Sequence, residues 1–210
     1  MTASKALAKL NQRLKDIDQL LEAHSALTKF KRAEQAAKNA GGDLSKIAAA
    51  VSALVTAPGQ GRPAEVGAIN RAAFVLLTAH FQGFVDDLHM EAATVLLTGK
   101  VADVNKLVKL VQPRNANPHT DVIERMFSGL GIHDVMSQIN WQKCSNRQVK
   151  ERLRGYIETR NKIAHGSQVE VTKQKIVQYQ QFVKLLSGKL DAAVSGSAKK
   201  FVGKAPWGAI

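Results

Sequence analysis

The stretch AEVGAINRAAFVLLTAHFQGFVDDLHMEAATVLLT, residues 64–98, decides the fold. Its apolar residues, among them Ile69, Ala73, Leu76, Leu77, Phe81, Phe84, Leu88, Ala92 and Leu96, recur at helical spacing but occupy nearly the whole circumference. A helix of that kind needs neighbours on every side, so it predicts the central element of a helical bundle. Its charged residues are Arg71 against Glu65, Asp86, Asp87 and Glu91, a local balance of −3. The uninterrupted apolar run Ala72 to Leu77 is six residues, far below the roughly 20 that a bilayer-crossing helix requires. No membrane partner is expected.

On its N-terminal side stands Ala57-Pro58-Gly59-Gln60-Gly61-Arg62-Pro63, whose turn formers predict a hinge and a boundary. Gly59, Gly61 and Ala64 spell G-x-G-x-x-A, but no strand precedes them and no βαβ unit surrounds them, so a dinucleotide fingerprint is not supported. Before the hinge, Asp43 to Thr56 reads as a short Ala-rich helix. Further back, Ala3, Leu7, Leu10, Leu14, Ile17 and Leu21 step by four and three, which lays one apolar seam along a helical arm. That arm extends to about Lys38 and ends at Asn39-Ala40-Gly41-Gly42. Its seam fits packing on the same chain or an intermolecular coiled coil.

On the C-terminal side, Gly99 breaks the central helix and Ala102 to Val111 forms another. Pro113 to Pro118 is a loop, and Thr120 caps a helix through Phe127. After a turn around Asp134 to Ile139, Ser145 with Gln148 forms a capping box opening a helix that runs to about His165, where Gly166 stops it. A last helix runs from Thr172 to about Val194, and the tail from Ser195 reads as loose. No segment shows sustained period-two alternation. The expectation is an all-α chain: an arm and hinge over 1–63, a helical bundle over 64–194, and a flexible tail over 195–210.

Composition narrows the function. The 210 residues carry 30 Lys+Arg against 17 Asp+Glu, a formal charge of +13, with 45% hydrophobic content. That content supports a packed core, and the basic excess fits a polyanionic partner. A single cysteine, Cys144, excludes a disulfide framework and a zinc site built on paired thiolates, and fits a reducing compartment. Met1 to Leu21 mixes Asp16 and Asp18 with Lys5, Lys9, Arg13 and Lys15. It lacks the apolar region of a secretory signal, so it is expected to stay in a cytoplasmic chain.

The chemistry concentrates at the end of the Ser145 helix. With about 100° per residue, Val149, Leu153, Tyr156 and Ala164 fall within about 40° of Arg160, so an arginine sits inside an apolar stripe. An unpaired buried guanidinium costs several kcal/mol. The stripe must therefore open into a polar cleft or supply an acid, and Asp86, Asp87 and Glu91 of the central helix are the candidates. His165 stands about 140° round from Arg160, so one ideal helix does not aim both at one point; as the last residue before Gly166, it also reads as a helix-end capping group. Between Trp141 and Lys175, nine basic residues face three acids, a local charge of +6. His80 and His89 lie on opposite sides of the central helix with no cysteine or acidic pair to complete a metal geometry, and no metal site or cofactor is expected.

Arg160-Asn161-Lys162-Ile163-Ala164-His165 is an R-N-x-x-x-H, the signature of the HEPN superfamily of small α-helical domains, many of them metal-independent endoribonucleases. Arg71 to Leu88, Phe127 to Asp134 and Trp141 resemble its RiboL-PSP-HEPN branch, and the resemblance covers about Ala64 to Leu190. Relatives often carry an acid near His80; none is there, and Asp86 or Asp87 are the possible substitutes.

The resemblance implies a homodimer in which two such helices meet and build a composite site. Arg160 would hydrogen-bond the phosphate, and His165 would move a proton at the ribose 2′-hydroxyl or the leaving 5′-oxygen. Asn161 would orient the phosphate or His165, while Lys162 and Arg154 would contact the RNA backbone. The products would be a 2′,3′-cyclic phosphate and a 5′-hydroxyl. A role as a toxin or anti-phage effector, with an antitoxin or regulatory partner, follows from the same likeness. The alternative is a non-catalytic HEPN module that binds nucleic acid or a protein partner through the same basic surface.

Overall fold

The computed structural model describes residues 3–40, 42, 43, 45–47, 49, 64–111 and 117–207. The expected hinge at 57–63 lies outside them, as do much of the Ala-rich helix over 43–56 and residues 113–116 of the loop before Thr120. Among the described residues, six helices carry the architecture: α1 (Lys5–Ala40), α2 (Ala64–Leu97), α3 (Val104–Val111), α4 (Thr120–Ser128), α5 (Asn146–Ala164) and α6 (Lys173–Val202). Among the described residues there is no strand, only an isolated bridge between Trp141 and Cys144. The chain is all-α.

α2 occupies the centre because its apolar circumference leaves it no solvent face. Ala73, Phe74, Leu77, Phe81, Phe84, Leu88 and Ala92 are all fully buried. They belong to one core with α1, α4, α5, α6 and the turns at 132–139. α1 lies along α2, and its seam residues Leu10, Leu14, Ile17 and Leu21 are buried in that core. The seam therefore packs within the chain. Each such side chain contributes about 1.5–3 kcal/mol over exposure, enough to hold a helix whose own propensity would not.

Two acids of α2, Asp87 and Glu91, are spent on this same contact. Asp87 pairs with Lys9 at 3.0 Å and Arg13 at 3.3 Å. Glu91 accepts from the backbone N–H groups of Lys5 and Ala6, both at 3.1 Å, and so caps the start of α1 from a neighbouring helix. Ser4 completes that cap, its Oγ accepting from the Leu7 N–H at 3.0 Å. Gly83 lies where Arg13 crosses α2; a Cβ there would stand 2.8 Å from the Arg13 guanidinium, whose flexible end would have to shift. His80 lies 3.2 Å from the Asp16 carboxylate of α1, and burial lowers its pKa more than that acid raises it.

Two expected boundaries change. The last helix does not stop near Val194: Ser195 and Ala198 are buried, the helix continues to Val202, and Gly203 closes it at φ +73°. Trp207 beyond it is buried in the core, so residues 195–207 are part of the bundle and not a loose tail. At α4 the capping position is His119, and Thr120 is already the first helical residue. Among the described residues, no helix is long and apolar enough to cross a membrane.

His89 fixes α2 to α4. It is fully buried, its Nε2 lies 2.9 Å from the Met126 carbonyl, and its ring meets Phe127 edge-on. Burial lowers its pKa below the ordinary value of 6.5, with the Met126 bond opposing.

Two outcomes test this packing. Leu14→Ala should cost about 2–5 kcal/mol, and urea unfolding should remain one transition, since α1 shares the core. The unfolded chain binds a proton on His89 more readily than the native chain does. The stability this residue contributes is therefore present above about pH 6.5 and lost as pH falls from there toward its folded value. The drop in urea midpoint between pH 7.5 and pH 5 should shrink in His89→Gln, which keeps a donor for the Met126 carbonyl.

Candidate active site at the end of α5

The Ser145 capping box is formed in full: the Ser145 hydroxyl accepts from the Gln148 N–H, and the Gln148 side chain accepts from the Ser145 N–H at 2.9 Å. From this start α5 buries Val149, Leu153 and Ile157 and presents the other flank to solvent. At about 100° per residue, Arg147, Arg154, Asn161 and His165 lie within about 40° of one another on that outer flank. Arg154, Lys162 and His165 are all exposed.

The end of the helix follows a Schellman pattern. The Gly166 N–H donates to the Ile163 carbonyl at 3.0 Å and the Ser167 N–H to the Lys162 carbonyl at 2.9 Å. Gly166 adopts φ +80°, which only glycine takes without cost. His165 is the C-cap residue, and its backbone N–H donates to the Asn161 carbonyl at 2.9 Å.

Arg160 is half-buried. Its Nη1 donates to the Asn161 Oδ1 at 3.2 Å, and the Asn117 Nδ2 donates to the same oxygen at 3.1 Å. Its Nε is buried with no hydrogen-bond partner. The expected ion pair to α2 does not explain it, because Asp87 and Glu91 are turned to α1. The level is also wrong: Tyr156, one turn before Arg160, packs 6.1 Å from Phe74, roughly three turns of α2 before Asp86. The guanidinium is near enough to Tyr179 for its charge to act on that hydroxyl, at a level where aromatic rings pack together. Tyr156 stacks on Tyr179 with centroids 4.0 Å apart, and Tyr179 also meets Phe74 at 4.9 Å. The Tyr179 hydroxyl donates to Thr78 at 3.1 Å. Burial pushes its pKa far up, while the nearby Arg160 charge pulls weakly the other way.

A family model described as RiboL-PSP-HEPN matches residues 89–195. The chain belongs to the RiboL-PSP-HEPN family. The match spans the end of α2, all of α3 to α5 and most of α6, and so contains Arg160 to His165. α1 and residues 64–88 lie outside it, including Arg71 to Leu88, where the sequence was also read as family-like. No curated protein and no solved structure matches the chain. For a RiboL-PSP-HEPN domain a nuclease or nucleic-acid-related role follows.

Of the sequence-predicted residues, the structure brings Arg160 and Asn161 together and leaves His165, Lys162 and Arg154 on the exposed end and flank of the helix. Asn117 was missed. It stands in a turn-rich segment 44 positions away from Asn161, and nothing in its local sequence marks it. Among the described residues, no three His, Cys, Asp or Glu side chains cluster as metal ligands.

The Schellman end is open to a direct check. Gly166→Ala forces a Cβ into the left-handed region at a cost of about 1–2 kcal/mol. The thermal midpoint should fall by about 2–8 °C, with helical content unchanged by circular dichroism.

Proposed function

We propose that this RiboL-PSP-HEPN chain is a metal-independent endoribonuclease acting as a homodimer. The observation that carries the reading is the state of Arg160. A half-buried guanidinium is held on one side by the Asn161 amide and keeps a buried Nε without a partner, and neither Asp87 nor Glu91 neutralises it. Such a group is a preformed donor for an anion that develops charge, and the phosphodiester in an RNA backbone is one.

In the reaction, the ribose 2′-oxygen forms a bond to phosphorus as the bond to the 5′-oxygen breaks. The 2′-hydroxyl proton leaves to a base, and the departing 5′-oxygen takes a proton from an acid. Imidazole serves in either role near neutral pH. With two chains facing each other, one His165 would act as base and the other as acid, and the two Arg160 guanidinium groups would hold the non-bridging oxygens. The homodimer also answers the separation of Arg160 and His165 around one helix, since each could meet its counterpart from the second chain. Asn161 would keep Arg160 in place and orient the phosphate. Lys162 and Arg154 would contact the RNA backbone beyond the cleaved bond, contacts that position without reading sequence. A toxin or anti-phage effector held in check by an antitoxin or regulatory partner fits such an activity, as does a cytoplasmic setting.

The expected result is that purified protein cleaves single-stranded RNA in EDTA, leaving 2′,3′-cyclic phosphate and 5′-hydroxyl ends. His165→Ala and Arg160→Ala should each lower the rate by about 10²–10⁴-fold while staying folded. Mixing the two variant chains should restore part of the activity through mixed dimers. Equal cleavage by wild type and both variants would overturn the assignment, and RNA binding without cleavage would make the domain a binding module.

A further inference from the structure

A second candidate site lies outside the Arg160 cluster, where α1 separates from α2. Three walls enclose a cleft of about 590 Å³: the second half of α1, the first turns of α2 and the segment 170–173 leading into α6. Two of these walls fall outside residues 89–195, so the cleft is not a feature of the family domain alone. Its volume is within the range of small-molecule sites.

The lining has three chemical characters. Its floor is apolar, formed by Val66 and Val171, with Gly67 adding no side chain. Its rim is cationic: Lys31 and Arg32 from α1, Arg71 from α2 and Lys173 from α6, against the single acid Glu170. Lys173 donates to the neutral Ser25 hydroxyl at 2.6 Å, which leaves its charge uncompensated by that contact.

The third character is unsatisfied polarity. Asn70 is 95% buried by its relative exposure of 5%. Its Nδ2 donates to the Val171 carbonyl at 2.8 Å, which fixes the amide so that Oδ1 is the remaining acceptor. That Oδ1 has no partner, and neither has the buried Nδ1 of His24, another lining residue. Leaving such atoms unpaired costs about 1–3 kcal/mol each, so a ligand able to hydrogen-bond them recovers that energy.

We propose that this cleft binds a phosphorylated nucleoside. A nucleobase has apolar faces for the valine floor and edge N–H groups and ring nitrogens for the Asn70 and His24 atoms, while its phosphate meets Arg32, Arg71 and Lys173 at the rim. An inorganic anion would use the rim and leave the floor and the amide unfilled. The same chemistry comes from two sources: a free nucleotide, or an unpaired nucleotide of an RNA strand. The latter accords with the chain order, in which Glu170 follows His165 by five positions. The proposal does not depend on the cleavage reading.

The test uses the full-length His165→Ala chain, so that RNA stays intact whatever the wild-type activity. Binding of the four ribonucleoside 5′-monophosphates, inorganic phosphate and a short single-stranded RNA is measured by titration calorimetry. Arg71→Glu, which reverses a rim charge, and Thr28→Trp, which fills the cleft from α1, are compared with the parent after circular dichroism shows both folded. At least one nucleotide should bind, or the RNA should, and both substitutions should weaken it tenfold or more. Loss of monophosphate binding identifies a free-nucleotide site; loss confined to RNA identifies a strand subsite. No binding of any nucleotide or RNA, binding unchanged by both substitutions, or phosphate binding as tightly as the monophosphates would overturn the proposal.

Discussion

The burial of α2 is the constraint on which the rest of this structure depends. A helix with fully buried side chains from Ala73 to Ala92 cannot be covered by one neighbour, since a single packed helix hides only about a third of its circumference. α1, α4, α5 and α6 are each held against it, and their apolar faces have little else to bury on. The long α1 illustrates the consequence. It lies outside the family-matched span, yet its seam is as deep in the core as any part of the matched domain.

The polar residues of α2 then divide the molecule into two sides. Asp87 and Glu91 serve α1, through Lys9, Arg13 and the capped N–H groups of Lys5 and Ala6. The opposite side, against α5 and α6, is aromatic, with Phe74, Tyr156 and Tyr179 in contact. Arg160 emerges on this second side, where it donates to the neutral Asn161 amide. An arginine neutralised by carboxylates would be a structural ion pair. Arg160 is held instead by the Asn161 amide, while Asp87 and Glu91 serve α1.

The basic excess of the sequence is distributed in keeping with this. The region around the motif is strongly positive, and the outer flank of α5 exposes Arg154 and the helix end carrying His165. The rim of the α1–α2 cleft adds four cations near the same end of the bundle. Both lie where the segment after His165 leads into α6, so basic side chains gather at one end of the bundle, away from Trp207 and the caps of α1.

Much of the fold was legible in the amino-acid order because it rests on local, periodic physics. The all-round apolar pattern of 64–98, the seam of α1, the capping box at Ser145 and the stop at Gly166 each depend on residues within a few turns of one another. The R-N-x-x-x-H of Arg160 to His165 is equally local, and with it the family. What the sequence could not decide were pairings between distant positions. Whether the α1 seam faced its own chain, which carboxylates Arg160 would meet, that Asn117 would join Asn161, and that Trp207 would draw α6 past Val194 into the core all depend on which surfaces the packing brings together. Those are set by the shape of the assembled bundle, where a contact between residues 44 or 187 positions apart has no signature at either end of the chain until both are in place.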